Sequence, residues 1–190
     1  MFGLGKDPQE LNAIEFLKAE HDAVDELFKA FEEAKDDRSG TRKKSLVAQI
    51  CEALTVHATI EEEIFYPAAR NASAVESDLV SEAAVEHQSL KEIIGRLERA
   101  PLTDPLYDAG VKVLSEYVKH HVREEESELF PQVKRSDLDL DAMGVALRAR
   151  KSELTARGIG RAKGGRSKVG KPASRKSANG ARVAASPAAR

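Results

Sequence analysis

The sequence predicts an all-α chain: an antiparallel up-down four-helix bundle, then a short fifth helix and a disordered, basic C-terminal tail. Three observations point there. Glycine, proline and strand-forming aromatics are sparse up to about residue 156, while Ala, Leu, Glu and Lys recur at helical spacing. Apolar residues repeat every three or four positions in long stretches joined by short polar breaks, the pattern of antiparallel helical neighbours. No stretch alternates polar and apolar residues as a half-buried strand does. With 190 residues, 41% of them hydrophobic, one main domain with a sizeable core is expected.

The first helix is expected over Asp7 to Ala34, with Ile14, Leu17, His21, Val24, Phe28 and Phe31 on one face. Asp7 followed by Pro8 suits its cap and first turn. After the polar break Asp36 to Gly40, a second helix aligns Leu46, Ile50, Leu54, His57, Glu61 and Ile64, and should stop or kink near Pro67. A third begins after the stretch Asn71 to Asp78, aligns Leu79, Ala83, His87, Leu90, Ile94 and Leu97, and ends at Pro101. The fourth, from about Thr103, aligns Leu106, Gly110, Val113, Tyr117, His121 and Glu125 and ends by Pro131. The fifth runs from Asp137 to Leu154 on Leu140, Met143, Leu147 and Leu154. The expected division is a bundle over 1–135, an added helix over 136–156 and a tail over 157–190.

Charge separates the tail from the rest. All 32 acidic residues lie at or before Glu153, against 20 Lys and Arg up to residue 156, a net −12; the last 34 residues carry 10 Lys and Arg and no acid, a net +10. The tail's Gly, Ser, Ala, Pro, Lys and Arg cannot bury enough surface to offset the entropy of ordering. Its charge suits loose, sequence-independent binding of nucleic acid, but no base-reading motif or interleaved aromatic is present. No apolar run has the length of a signal peptide or membrane span, so a cytoplasmic protein is expected. Cys51 is the single cysteine, which excludes an internal disulfide and any thiolate-rich metal site.

The chemistry lies in a repeat. His57-Ala-Thr-Ile-Glu61-Glu-Glu-Ile-Phe-Tyr-Pro67 and His121-Val-Arg-Glu-Glu125-Glu-Ser-Glu-Leu-Phe-Pro131 both read H-x3-E-E-x4-P, 64 residues apart. The helix preceding each carries one histidine, His21 or His87, 66 residues apart, so the chain is two similar hairpins. A histidine and a glutamate four apart share a helix face. The four histidines and both glutamates fall on apolar stripes. Unpartnered carboxylates there would cost several kcal/mol each, and cations supply the missing partners. Imidazoles with carboxylates suit iron, and manganese or zinc less specifically. Glu62 and Glu126, next in sequence to the stripe glutamates, point sideways, where bonds to histidine N–H groups and plain solvation are equally open. His120, one residue off the stripe, is expected to face solvent with Glu124 four residues on.

These motifs resemble the hemerythrin-like, or HHE cation-binding, proteins over roughly residues 11 to 131. The resemblance implies a di-iron centre in a four-helix bundle. His21 and His57 would ligate one iron, His87 and His121 the other, and Glu61 and Glu125 would bridge them. Oxygen-carrying members have a further histidine four residues before the third-helix one, where this chain has Ala83. One metal is then left with an open position or a substitute such as Tyr117 or Glu86, which favours redox or sensing chemistry over reversible oxygen carriage. The expected function is to bind or reduce oxygen, peroxide or nitric oxide in sensing or stress defence. The alternatives are an iron store or metal-responsive module without turnover, and a stress-associated accessory protein that binds nucleic acid through its tail.

Overall fold

The computed structural model describes residue 7 and residues 10–34 and 40–160. The described residues form five helices and no strand. Helix α1 is Ala13–Glu33. Helix α2 begins as Thr41–Ile60, passes through a wider π-helical turn at Glu61–Phe65 and ends as Tyr66–Asn71. Helix α3 is Ser77–Arg99. Helix α4 begins as Tyr107–Glu124, passes through a second π turn at Glu125–Leu129 and ends as Phe130–Lys134. Helix α5 is Leu140–Ala156. Helix α1 packs on α2, α3 on α4, α2 on α3 and α1 on α4, which closes the bundle, while α5 lies across α1 and α2.

Several boundaries differ from the expectation, each for a local reason. Helix α1 starts at Ala13, not Asp7, because Asn12 caps it: Asn12 Oδ1 accepts from Glu15 N–H and Glu15 Oε2 accepts from Asn12 N–H. Helix α4 starts at Tyr107, because Asp104 closes a turn that holds the N–H groups of Leu106 and Tyr107. Helix α2 does not stop at Pro67 but runs on to Asn71. Proline lacks an N–H and its ring clashes with the carbonyl four residues back, but the π turn widens the helix just before it. Tyr66 N–H reaches back five residues to Glu61 O, and Phe130 N–H reaches Glu125 O in the same way before Pro131. Residues 157–160, expected in the tail, form a turn that caps α5, with Gly158 at φ +68° and Ile159 N–H on Leu154 O. The expected disorder of the remaining tail concerns residues outside the described ones.

The stripe on α4 is also corrected. Leu106, Val113 and Tyr117 are exposed at 62%, 48% and 48%; Tyr107, Val111, Leu114 and Val118 are buried instead. Stepping back by four from His121 advances about 40° per step on a helix of 3.6 residues per turn, so the run drifts onto the outer face. On α2 the π turn shifts the buried set beyond Glu61 to Phe65, Tyr66 and Ala69, leaving Ile64 half-buried.

The core falls into two apolar clusters. One, around Val24, Phe28, Phe31, Ile50, Leu90 and Leu114, fills the end near the α1–α2 and α3–α4 connections. The other, around Leu17, Ile60, Phe65, Phe130, Val133 and Leu147, fills the end that α5 covers. Between them lie the six buried polar side chains among the described residues: His21, His57, Glu61, His87, His121 and Glu125. No described helix is long and apolar enough to cross a membrane.

Helix α5 sits very close to the start of α1. Arg148 Nη1 donates to Leu11 O, and Lys151 and Arg150 pair with Glu20 of α1 and Glu63 of α2. A Cβ on Gly144 would lie 2.6 Å from Leu11 O and 2.9 Å from Ala13 N. Ala in place of Gly normally stabilises a helix interior by about 1 kcal/mol. Here Gly144→Ala is expected to do the reverse, lowering stability in urea denaturation by about 1–2 kcal/mol through overpacking.

Candidate metal centre

The six buried polar side chains come from all four bundle helices, and their polar ends converge. His21 Nε2 stands 3.1 Å from His57 Nε2, and His87 Nε2 stands 3.0 Å from His121 Nε2. Two nitrogens bound about 2.1 Å from one ion at right angles would lie about 3.0 Å apart, so each pair is spaced to share an ion. The carboxylates reach both pairs. Glu61 Oε2 lies 3.2 Å from His57 Nε2 and 3.5 Å from His87 Nε2. Glu125 Oε2 lies 3.3 Å from His21 Nε2 and 3.6 Å from His121 Nε2. Ligand atoms of His21, His57, Glu61 and Glu125 fall within 4.8 Å of one another, as do those of Glu61, His87 and His121.

The fit to a cation rests on orphaned atoms. Both oxygens of Glu61 and Oε2 of Glu125 are buried and accept no hydrogen bond, although imidazoles stand close by. A buried carboxylate without donors is costly, and a cation at the convergence point supplies what is missing. The titration behaviour carries the same imbalance. Burial, then the neighbouring charge of Glu125, pushes the Glu61 carboxyl well above its usual range. Burial opposes the charged form of Glu125 too, but the imidazoles of His121 and His21 outweigh it and hold this carboxyl at about 2. Burial, reinforced by His21, keeps His57 neutral well below the ordinary histidine range, the form in which an imidazole nitrogen can ligate.

The outward ring nitrogens are held by carboxylates. His21 Nδ1 lies 2.9 Å from Glu126 Oε1, His87 Nδ1 3.1 Å from Glu62 Oε1, and His121 Nδ1 2.7 Å from Glu86 Oε2. Glu126 and Glu62 are anchored in turn by Lys18 and Lys91. The hydrogen bond from His87, with help from Lys91, brings Glu62 down to about 2. These contacts fix ring orientation and leave Nε2 of each ring turned inward. Glu86 therefore orients His121 rather than entering the centre. His57 Nδ1 alone is buried without a partner. By the 66-residue offset the counterpart of Glu86 is Glu20, and Lys151 of α5 holds Glu20 at 2.5 Å.

Tyr117, expected on the inner face as a core aromatic or a substitute donor, is neither, because the drift of the α4 stripe puts it on the surface. The tyrosine that faces the centre is Tyr66, which the sequence reasoning missed. Tyr66 is buried, its hydroxyl donates to Glu125 Oε1 at 2.8 Å and it lies 3.2 Å from His87 Nε2. Burial, then the charges of Glu125 and Glu61, raises its phenol well above the ordinary value. Five residues beyond Glu61, an α-helix would carry Tyr66 off the ligand face; the π turn brings it underneath. The proline at 67 was the available signal. Phe130, the counterpart 64 residues on, stacks on His21 at 5.9 Å between ring centres. The two halves of the centre thus differ in this hydroxyl as well as in the carboxylate that holds His121 and has no equivalent on His57.

Above the four Nε2 atoms, Val24, Leu54, Leu90, Ile94, Val118 and Val122 wall a cavity of about 20 Å³. That is room for a single small molecule, since one water needs roughly 10–15 Å³. On the outside, a groove of about 460 Å³ between α1 and α4 reaches His21 beside Asp22, Val118 and Glu126.

A model of the hemerythrin HHE cation-binding domain matches residues 12–133. The fold is similar to the crystal structure of a hemerythrin HHE cation-binding domain-containing protein from Mycobacterium kansasii, with a TM-score of 0.66 and 27% identity over 80% of this chain and 96% of that one. A DNA nickase from Nostoc sp. is 28% identical over 162 residues, which cover 84% of this chain and 45% of the nickase. The chain thus spans less than half of that relative. The matched domain takes in all four bundle helices and every residue of the convergent layer, and the chain belongs to the hemerythrin HHE cation-binding family.

Proposed function

We propose that this protein holds two iron ions in the buried layer and uses them to bind or reduce a small oxidant such as oxygen, peroxide or nitric oxide. The observation that carries the reading is that the only buried polar side chains among the described residues converge on one point with carboxylate oxygens unpaired, beside a cavity sized for one small molecule. His21 and His57 would hold one ion and His87 and His121 the other, with Glu61 and Glu125 supplying carboxylate oxygens between the two pairs. Bound there, the iron pair supplies up to two electrons to an oxidant. The chain's own residues do the rest. The imidazole–carboxylate pairs fix the ligands, the valines and leucines of the cavity exclude bulk water, and Tyr66 offers a hydroxyl on the side where Ala83 has no ligating atom. Manganese or zinc would meet the same ligands with less selectivity. Storage of iron without turnover is the reading that remains if oxidants are not consumed.

Purified protein is expected to contain about two irons per chain, a four-helix site of this kind being built for two metals. His57→Ala and Glu125→Ala should each lose at least one, measured by metal analysis, and full retention in both would contradict the ligand assignment. Tyr66→Phe should keep both irons but change the visible absorption of the ferric protein; an unchanged spectrum would place the hydroxyl outside the iron's reach.

A second reading is favoured by the relative named as a DNA nickase and by the +10 tail: association with DNA. The acidic bundle repels phosphates, so any affinity would belong to the tail, fall steeply with salt and vary little with sequence. Full-length protein is expected to retard DNA weakly at low salt and the fragment 1–156 not to. Equal binding by the fragment would assign DNA contact to the bundle instead.

A further inference from the structure

Outside the buried centre, one cluster of ligand-type side chains remains without a role. His120 and Glu124 of α4 and Glu86 of α3 bring one ligand atom each within 4.8 Å of one another. His120 Nε2 lies 3.1 Å from Glu124 Oε1 and 3.5 Å from Glu86 Oε1. The side chains are exposed at 57%, 37% and 21%, so the group faces solvent. One imidazole and two carboxylates from different helices are a donor set that suits first-row divalent cations.

A second observation points inward. A narrow crevice of about 10 Å³ runs between α3 and α4 from Glu86 and Glu124 at the surface, past Ala83, to His121 and Glu125. It has room for about one water-sized species. Its inner residues, His121 and Glu125, are 3% and 2% exposed and belong to the buried layer. Glu86 stands at the junction: Oε2 holds His121 Nδ1 at 2.7 Å while Oε1 faces His120. The crevice passes where Ala83 leaves space beside α4. Glu82 also lines it, so the opening carries three carboxylates that concentrate cations there.

We propose that Glu86, His120 and Glu124 form a surface site that captures a divalent cation, Fe2+ in the working protein, and delivers it along this crevice to His121 and Glu125. The proposal rests on the buried layer being the metal centre. His120 and Glu124 contribute to capture and not to the centre, so their loss should slow filling without changing what is finally held.

The test uses full-length protein stripped of metal, mixed with Fe2+ without oxygen, with uptake followed by competition against a coloured chelator. The double variant His120→Ala, Glu124→Gln is expected to fill about tenfold more slowly than the unaltered chain, the scale on which a charged opening raises association rates, and to reach the same iron content. In iron-loaded protein, a Co2+ titration should find one additional weak site that the double variant lacks. Equal filling rates would overturn the proposal, as would a lower final iron content, which would put these residues in the centre itself. Failure of unaltered protein to take up iron at all would instead remove the buried centre, and the route with it.

Discussion

Two carboxylates, buried at 0% and 2% exposure in the middle of an apolar bundle, are the constraint on which the rest of this structure depends. Left ionised and unpaired, each would cost several kcal/mol, a large share of the stability of a domain this size. The four imidazoles relieve part of the cost but not all of it, since three carboxylate oxygens still find no donor. The fold tolerates the layer because every bundle helix places one or two of its members at the same height. The apolar clusters on either side seal it from water.

The π turns give the layer its geometry. In each motif the turn begins at the glutamate, so the helix below is rotated and Tyr66 or Phe130 comes to lie beneath the opposite histidine. Because the turns precede Pro67 and Pro131, the same residues that would break an α-helix are accommodated by the wider one. The repeat is nearly symmetric in its histidines, glutamates and prolines. It departs from symmetry at Tyr66 against Phe130, and at Glu86, which holds a histidine, against Glu20, which Lys151 holds instead. Two ions in such a site would differ in their surroundings, which favours a directed reaction over a pair of equal sites.

Much of this was legible in the sequence, and the losses have physical causes. The doubled H-x3-E-E-x4-P motif, with one histidine on the helix before each copy, marked the six convergent residues because polar groups on an apolar stripe are conspicuous at helical spacing. For Glu62 and Glu126, beside the stripe, the sequence left histidine contact and solvation equally open, and the structure shows the former. Tyr66 escaped because helical periodicity assumes 3.6 residues per turn, and one widened turn breaks that count. Tyr117 was misplaced for the complementary reason: repeated steps of four drift around a regular helix. Helix starts were missed where a local cap, Asn12 with Glu15 or Asp104 with its turn, overrides the nearest proline.

If cations complete the layer, metal binding and folding stability are one quantity. The most direct measurement is the thermal unfolding of the full-length protein stripped of metal, then reloaded with Fe2+ in excess without oxygen. The account predicts a marked rise in Tm on loading, corresponding to at least about 2.7 kcal/mol when free iron exceeds its dissociation constant a hundredfold. Identical melting of the stripped and reloaded forms would show that His21, His57, Glu61, His87, His121 and Glu125 are satisfied without metal and contradict the account at its centre.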